Sequence, residues 1–276
     1  MKLVRLLTAF ALTAGLAAHA SQGVSLATGF TDFTGWSLYG NATAQNDTPG
    51  NGFTYSNLIL TSPGSGGQGG AGFAPNALTL DFNQAFAFDF HFFIPVSQDL
   101  RGDGFTFTLS DTGGVGSAGS GLGYEGLSPA SVAFAVDTFH FGGEPVSPSL
   151  QILAGGSVTP LAATETGLGD DIRDPNYQWY ASVQYTPSGL DDNAGTLTGT
   201  LTHLNLGSFA VSAAVDFNQL GLVGAPVYYG FTAANGLATD AHFITSAVPV
   251  PEPGSWVMIL AGLACLGLIA QRRQMR

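Results

Sequence analysis

The chain has 276 residues and a formal net charge of −12, which is enough length for one large β domain or two small domains. All of its 19 acidic residues except Glu252 lie within residues 21–246, where Arg101 and Arg173 are the only Lys or Arg residues. Nucleic acid is therefore not expected as a partner, because phosphate binding requires clustered basic side chains. The single cysteine, Cys265, leaves the body without a disulfide.

Residues 1–20 have the pattern of a secretory signal peptide. A start that carries Lys2 and Arg5 precedes an apolar run, and the segment ends in the small-x-small triplet Ala-His-Ala. The apolar run is short for a bilayer core of about 30 Å, which disfavours the alternative of an N-terminal anchor. We predict export and cleavage between Ala20 and Ser21.

The body alternates apolar and polar residues with period two and shows no sustained helical periodicity. Gly, Pro, Asn or Asp bounds each alternating run, as is typical of short strands. The clearest predicted strands are residues 86–92, 105–109, 132–136, 179–185, 196–204, 209–215 and 227–232. Many short strands in one uncut body predict an all-β, two-sheet sandwich over residues 21–246. Its core would contain the aromatic stripe Phe86, Phe88, Phe90 and Phe92.

Residues 247–276 form a separate C-terminal segment with three parts. A proline-rich linker is followed by the uncharged run Trp256–Ala270 and then by Arg272, Arg273 and Arg276. A spanning helix typically needs about 20 residues, and this shorter run can reach across with snorkelling flanks. We therefore predict a single transmembrane segment whose arginines stay on the cytoplasmic side.

The motif Val250-Pro251-Glu252-Pro253, followed by the apolar run and the arginines, resembles the PEP-CTERM sorting signal. This resemblance implies recognition by an exosortase and membrane attachment before processing. It also implies delivery to the cell surface or extracellular matrix of a Gram-negative bacterium. The alternative is a chance proline-rich linker before an ordinary tail anchor.

A series of segments in the body follows a recognisable order. In chain order they are residues 33–42, 58–61, 70–74, 86–92, 102–107, 119–124, 136–139 and 227–236. This order is similar to that of the legume-type (L-type) lectins along nearly the whole body. The resemblance implies that the predicted all-β sandwich is a two-sheet jelly-roll sandwich, with a carbohydrate-binding site at its loops.

The resemblance also implies particular site residues. Asp103 would accept hydrogen bonds from sugar hydroxyls, and a backbone amide between Gly121 and Gly123 would donate one. The edge of the pocket would consist of Asn235, Gly236 and Leu237. Charge-assisted acceptors suit sugar hydroxyls because their hydrogen bonds are short and strong. The alternative for Asp103 is a turn residue that bonds its own backbone before Gly104.

The metal site of the L-type lectins, which in that family holds the sugar-binding loops in place, is only partly present. The family carries a Glu two positions before the strand Asp, on the same face of the strand, and Ala135 stands there. Phe141 replaces the Asn four residues after that Asp. Asp137 is retained, and Glu144 could substitute for a lost ligand. Calcium needs about six oxygens or more, so we predict no certain cofactor and at most a weak calcium site at Asp137 and Glu144.

Three functions are compatible with these residues. The leading hypothesis is an exported, non-catalytic carbohydrate-binding protein of the cell surface or matrix, with a glycan or exopolysaccharide as its ligand. The second is a structural exopolysaccharide-matrix protein with a degenerate lectin fold that binds no sugar. The third is a glycoside hydrolase, which needs two carboxylates across the scissile bond. The Glu-x-Asp-x-x-Glu pattern of laminarinase-like enzymes does not occur in this sequence, which argues against an enzyme.

Overall fold

The computed structural model describes residues 32–47, 55–95, 102–173 and 179–250. These residues form two antiparallel sheets and three short 3-10 helices, with no α-helix among them. The strands are β1 Ser37–Gly40, β2 Thr43–Asp47, β3 Tyr55–Thr61, β4 Gly69–Phe73, β5 Phe86–Phe93, β6 Gly104–Ser110, β7 Ser131–Asp137, β8 Ser149–Ala154, β9 Ser157–Glu165, β10 Trp179–Pro187, β11 Ala194–His203, β12 Gly207–Asp216, β13 Tyr228–Ala234 and β14 His242–Val250. The 3-10 helices are Phe33–Gly35, Gly119–Gly121 and Gly169–Ile172. The predicted all-β sandwich is confirmed.

Each sheet has seven strands, and the order of the strands differs from their order in the chain. One sheet, called the site sheet below, runs β1-β4-β13-β6-β7-β8-β9, and the second runs β12-β11-β10-β5-β14-β3-β2. In the site sheet Ala234 pairs with Gly104, and Gly104 pairs with Asp137. This register brings the loop before β6, the loop after β13 and the loop after β7 to the same end of the sheet.

The core lies between the two sheets and is rich in aromatic rings. The predicted stripe points inward, since Phe86, Phe88, Phe90 and Phe92 are all buried and alternate with residues of the outer face. Phe90 is only 1% exposed and stacks on Phe107 with ring centroids 5.9 Å apart. Because the described body contains no cysteine, this packing supplies the stability that disulfides give to many exported domains.

The sequence did not predict strands β8, β9 and β14. β9 is an edge strand without a fully buried residue and contains Pro160, so it lacks a strong apolar alternation. β14 runs to Val250 because it pairs with β5, and it therefore includes residues 247–250, which were expected to belong to the linker.

The predicted signal peptide and the apolar run at 256–270 lie outside the described residues. Within the residues that are described, no helix is long and apolar enough to cross a membrane.

Candidate functional site

Asp103 lies at the junction of three loops at one end of the site sheet. Its backbone N–H donates to the carbonyl of Ala234 at 3.1 Å, and its carbonyl accepts from the N–H of Thr138 at 2.8 Å. The peptide between Gly102 and Asp103 is cis. The ends of β13 and β7 therefore fix the backbone of Asp103 on both sides.

The carboxyl group of Asp103 lies beneath two glycines. The residue is 5% exposed, and its Oδ2 atom has no partner of good hydrogen-bond geometry among the described residues. A Cβ atom added to Gly236 would stand 3.1 Å from this Oδ2, and one added to Gly119 would stand 3.9 Å from it. The carboxyl group expected to bind sugar hydroxyls is therefore buried against the backbone of these two glycines, and at Gly236 a Cβ atom would be closer than an ordinary contact.

Burial raises the pKa of Asp103 to about 6. The nearby charges of Glu144 and Asp240 raise this pKa further, whereas the backbone amide of Gly236 opposes the shift. That amide favours the charged form of the carboxyl group, while Oδ2 itself accepts no hydrogen bond from the described residues. The carboxyl group thus has an oxygen that accepts no hydrogen bond and is shielded from water. A hydrogen bond from a hydroxyl group of a ligand would be favourable there.

The glycine-rich loop approaches Asp103 through Gly119 rather than through Gly121 and Gly123. The amide of Gly121 donates to Ala118 O at 3.3 Å, and that of Gly123 donates to Ser117 O at 2.9 Å. The amide between them, at Leu122, donates to Gly119 O at 3.0 Å. All three predicted donors are occupied within the loop, so a sugar hydroxyl would have to displace one of these bonds.

A small apolar cluster seats this loop on the outer face of the site sheet. Its buried members are Leu122, Tyr124, Ala133, Ala135 and Leu153. The hydroxyl group of Tyr124 also shares a hydrogen bond of 2.9 Å with that of Ser131. Ala135, the residue that stands at the position of the family's metal-binding Glu, is therefore part of an apolar contact.

The segment after β13 contributes residues of different character. Asn235 is fully buried, and its side chain accepts from Gln68 N at 2.9 Å and donates to Asp240 O at 3.2 Å. Gly236 lies against the Asp103 carboxyl group, as described above, whereas Leu237 is 93% exposed. Gly236 and Leu237 can thus edge a pocket, while Asn235 holds the segment from inside.

Protein donors surround the carboxylate of Asp137. Its oxygens accept from Phe139 N at 3.0 Å, from Ser147 Oγ at 2.9 Å and from Gln151 Nε2 at 2.9 Å. Gln151 is paired across the sheet with Ala135. Burial raises the pKa of Asp137 to about 7, and these hydrogen bonds oppose that shift.

These contacts do not fit the metal site that the family resemblance implies. The Oε2 atom of Glu144 accepts from Phe141 N at 2.8 Å, while Ala135 and Phe141 bring no side-chain oxygen. Within the described ranges no group of three or more His, Cys, Asp or Glu side chains could hold a metal ion. Calcium binding at Asp137 and Glu144 therefore stays an untested prediction. The hydrogen-bond donors around Asp137 argue against it, because they occupy the carboxylate oxygens that a cation would need.

Residues 249–274 match the PEP-CTERM protein-sorting motif. The resemblance noted at Pro251-Glu252-Pro253 is thereby confirmed, and the motif indicates an exported protein. No curated protein sequence matches this chain.

Solved structures of plant lectins share the architecture of the body. The lectin of Bauhinia forficata in complex with GalNAc has a TM-score of 0.62 and 21% identity, over 80% of this chain and 94% of that one. A metal-free form of lectin I-B4 from Griffonia simplicifolia has a TM-score of 0.60 and 20% identity, over 78% and 92% of the two chains. The body has the legume-lectin fold. Arcelin-5, a lectin-like defense protein of Phaseolus vulgaris, has it too, with a TM-score of 0.60 and 21% identity over 80% of this chain and 94% of that one.

Proposed function

We propose that the sandwich is the carbohydrate-binding module of an exported, non-catalytic protein, with a glycan or exopolysaccharide as its ligand. The observation that carries this proposal is the unpartnered Oδ2 of Asp103 at the junction of three loops. A buried acceptor without a donor costs about 1–3 kcal/mol of folding free energy. An unpaired acceptor at this place therefore favours the interpretation that a ligand supplies the donor. The GalNAc bound by the Bauhinia lectin of the same fold supports a sugar hydroxyl as the missing donor.

The surroundings of Asp103 support binding rather than hydrolysis. A glycosidase needs a second free carboxyl group across the scissile bond. Asp137 is surrounded by protein donors, and Asp240 is paired with Arg173. Glu144 accepts from the Phe141 amide at the base of its own turn. Each neighbouring acid thus has a structural partner.

We expect Asp103→Ala to weaken glycan binding about tenfold or more, since hydrogen bonds to a charged group contribute roughly 1.5–3 kcal/mol each. The measurement is a glycan array with the purified body, followed by calorimetric titration of the strongest oligosaccharide. Asp171→Ala, at an exposed acid of the 3-10 helix Gly169–Ile172, is the matched control and should bind like the parent.

Two results would redirect this proposal. Unchanged binding by Asp103→Ala would place the site elsewhere on the sandwich. A correctly folded parent protein that binds no glycan on the array would instead favour the structural matrix protein.

We further propose that an exosortase-type machinery delivers the protein to the surface of a Gram-negative cell, with the C-terminal segment in the membrane before processing. The sorting motif at residues 249–274 supports this. The mature protein is expected to begin at or near Ser21 and to lack the arginine-rich end. Mass spectrometry of the protein from the cell surface tests both ends, and intact Met1 on most molecules would refute the predicted cleavage.

A further inference from the structure

A buried ion pair lies behind the candidate site. Arg173 is 5% exposed and Asp240 is 0% exposed. The Nε atom of Arg173 donates to both carboxylate oxygens of Asp240, at 2.9 and 3.2 Å, and its Nη2 atom donates to Oδ2 as well. Burial of two charges is costly unless they are paired and hydrogen-bonded, so this forked contact fixes both side chains in one geometry.

The backbone of Asp240 joins three parts of the site. Its N–H donates to the carbonyl of Gly102, the residue before Asp103, at 3.1 Å. Its carbonyl accepts from Nδ2 of Asn235 at 3.2 Å and from Oγ1 of Thr61 at 3.0 Å. One residue thereby connects the Asp103 segment, the pocket edge and strand β3 of the opposite sheet.

His242 completes this arrangement as a neutral donor. The Thr61 hydroxyl group donates its single hydrogen to the carbonyl of Asp240. Its oxygen must therefore accept in the 2.7 Å contact with Nδ1 of His242, so Nδ1 carries the hydrogen and donates it. Burial and then the charge of Arg173 lower the pKa of His242 to about 3. The ring is therefore uncharged at neutral pH, and it does not compete with Arg173 for the carboxylate of Asp240.

We propose that Arg173 and Asp240 are positioning residues that hold Asp103 and the segment 235–237 in their binding geometry without a divalent cation. This inference rests on the proposed function. The site by Asp137 does not fit a metal, so the loops need another support, and the contacts of Asp240 supply one from the protein itself. Arg173 is the only Lys or Arg among the described residues, and it is buried in this contact, while its Nη1 atom also lies 3.6 Å from Oδ1 of the exposed Asp170.

Hydrogen–deuterium exchange on the full sandwich tests the positioning role without any glycan. In the parent protein, peptides covering residues 102–107 and 233–241 are expected to exchange equally slowly in calcium and in a chelator. Arg173→Met should raise exchange in both peptides about tenfold, while the β11–β12 hairpin stays protected. The control Tyr185→Phe loses a buried hydrogen bond of 2.9 Å to Phe82 O away from the site and should leave both peptides protected.

Should Arg173→Met fail to fold, Arg173→Lys replaces it, because lysine keeps the charge and loses the planar fork. Faster exchange of the two peptides in Arg173→Lys than in the control would support the proposal. Uniform loss of protection, or protection of the parent that depends on calcium, would overturn it.

A titration with the strongest-binding oligosaccharide of a glycan array separates this proposal from the proposed function. Weaker binding by the Arg173 variant, at least tenfold and beyond that of the Tyr185→Phe control, supports positioning. Binding equal to the parent, despite faster exchange, overturns the positioning role and leaves the proposed function standing. A parent protein that binds nothing on the array would refute the proposed function and, with it, the positioning role for a glycan. The exchange experiment would still show whether the contacts of Asp240 stabilise these segments.

Discussion

Replacing Phe90 with alanine is expected to lower the free energy of unfolding by about 3–5 kcal/mol. The ring is 1% exposed and lies between the two sheets, where it stacks on Phe107 and meets Phe231 edge-on at 5.0 Å. Truncation removes both the buried apolar area and the contacts of these neighbours, which cannot all collapse into the cavity. Chemical denaturation followed by tryptophan fluorescence measures the loss.

Phe141→Ala is the matched control, because the same side chain is deleted at a position that is 64% exposed. Its effect on the free energy of unfolding is expected to stay within about 0.5 kcal/mol. Equal losses in the two variants, or a neutral Phe90→Ala, would contradict the placement of the phenylalanine stripe in the core.

The central strands could be predicted because their local pattern and their burial agree. In β5 every second residue is a phenylalanine, and the register against β10 places Ala181 and Val183 opposite Phe90 and Phe88. β9 offers no such signal, because as an edge strand it buries no residue fully. Its pairing with β8 is set by the neighbouring strand rather than by its own side chains.

The candidate site could be predicted only in outline. Asp103 and the segment 235–237 meet because β13 inserts between β4 and β6. The family resemblance implied that these residues share a site, but the period-two pattern does not give the order of strands in a sheet. The burial of the carboxyl group depends on the close approach of Gly119 and Gly236, and no local pattern encodes such a distance. Arg173 stood out as a rare cation in an acidic body, but the sequence offered no means of choosing Asp240 among the acids as its partner.

Lowering the pH is expected to weaken glycan binding while it stabilises the parent protein relative to Asp103→Asn. The folded pKa of Asp103, about 6, lies above the ordinary value of 3.8. The folded state therefore takes up the proton more readily than the unfolded state, and stability falls as the pH rises through this interval. The charged acceptor, by contrast, exists only above a pH of about 6.

The comparison with the asparagine variant isolates Asp103 from other titrating groups. Asp137, with a pKa raised to about 7, adds stability on acidification, and His242, with a pKa lowered to about 3, removes it. Both contributions are common to the two proteins and cancel in the difference. The stability advantage of Asp103→Asn should thus shrink by about 2 kcal/mol between pH 8 and pH 4, since each pKa unit corresponds to about 1.4 kcal/mol.

Glycan affinity of the parent should fall as the pH drops below about 6, at first by about tenfold per pH unit, and should level off toward the affinity of Asp103→Ala, because only the deprotonated carboxyl group offers charged acceptors. Denaturation curves and calorimetric titrations on the same samples, at several values between pH 8 and pH 4, measure both quantities. A stability difference that does not vary with pH would mean that burial does not raise the pKa of Asp103. Affinity that stays constant while the stability difference shifts as expected would mean that the sugar does not use this carboxylate, and would leave the acid a purely structural role at the junction of the three loops.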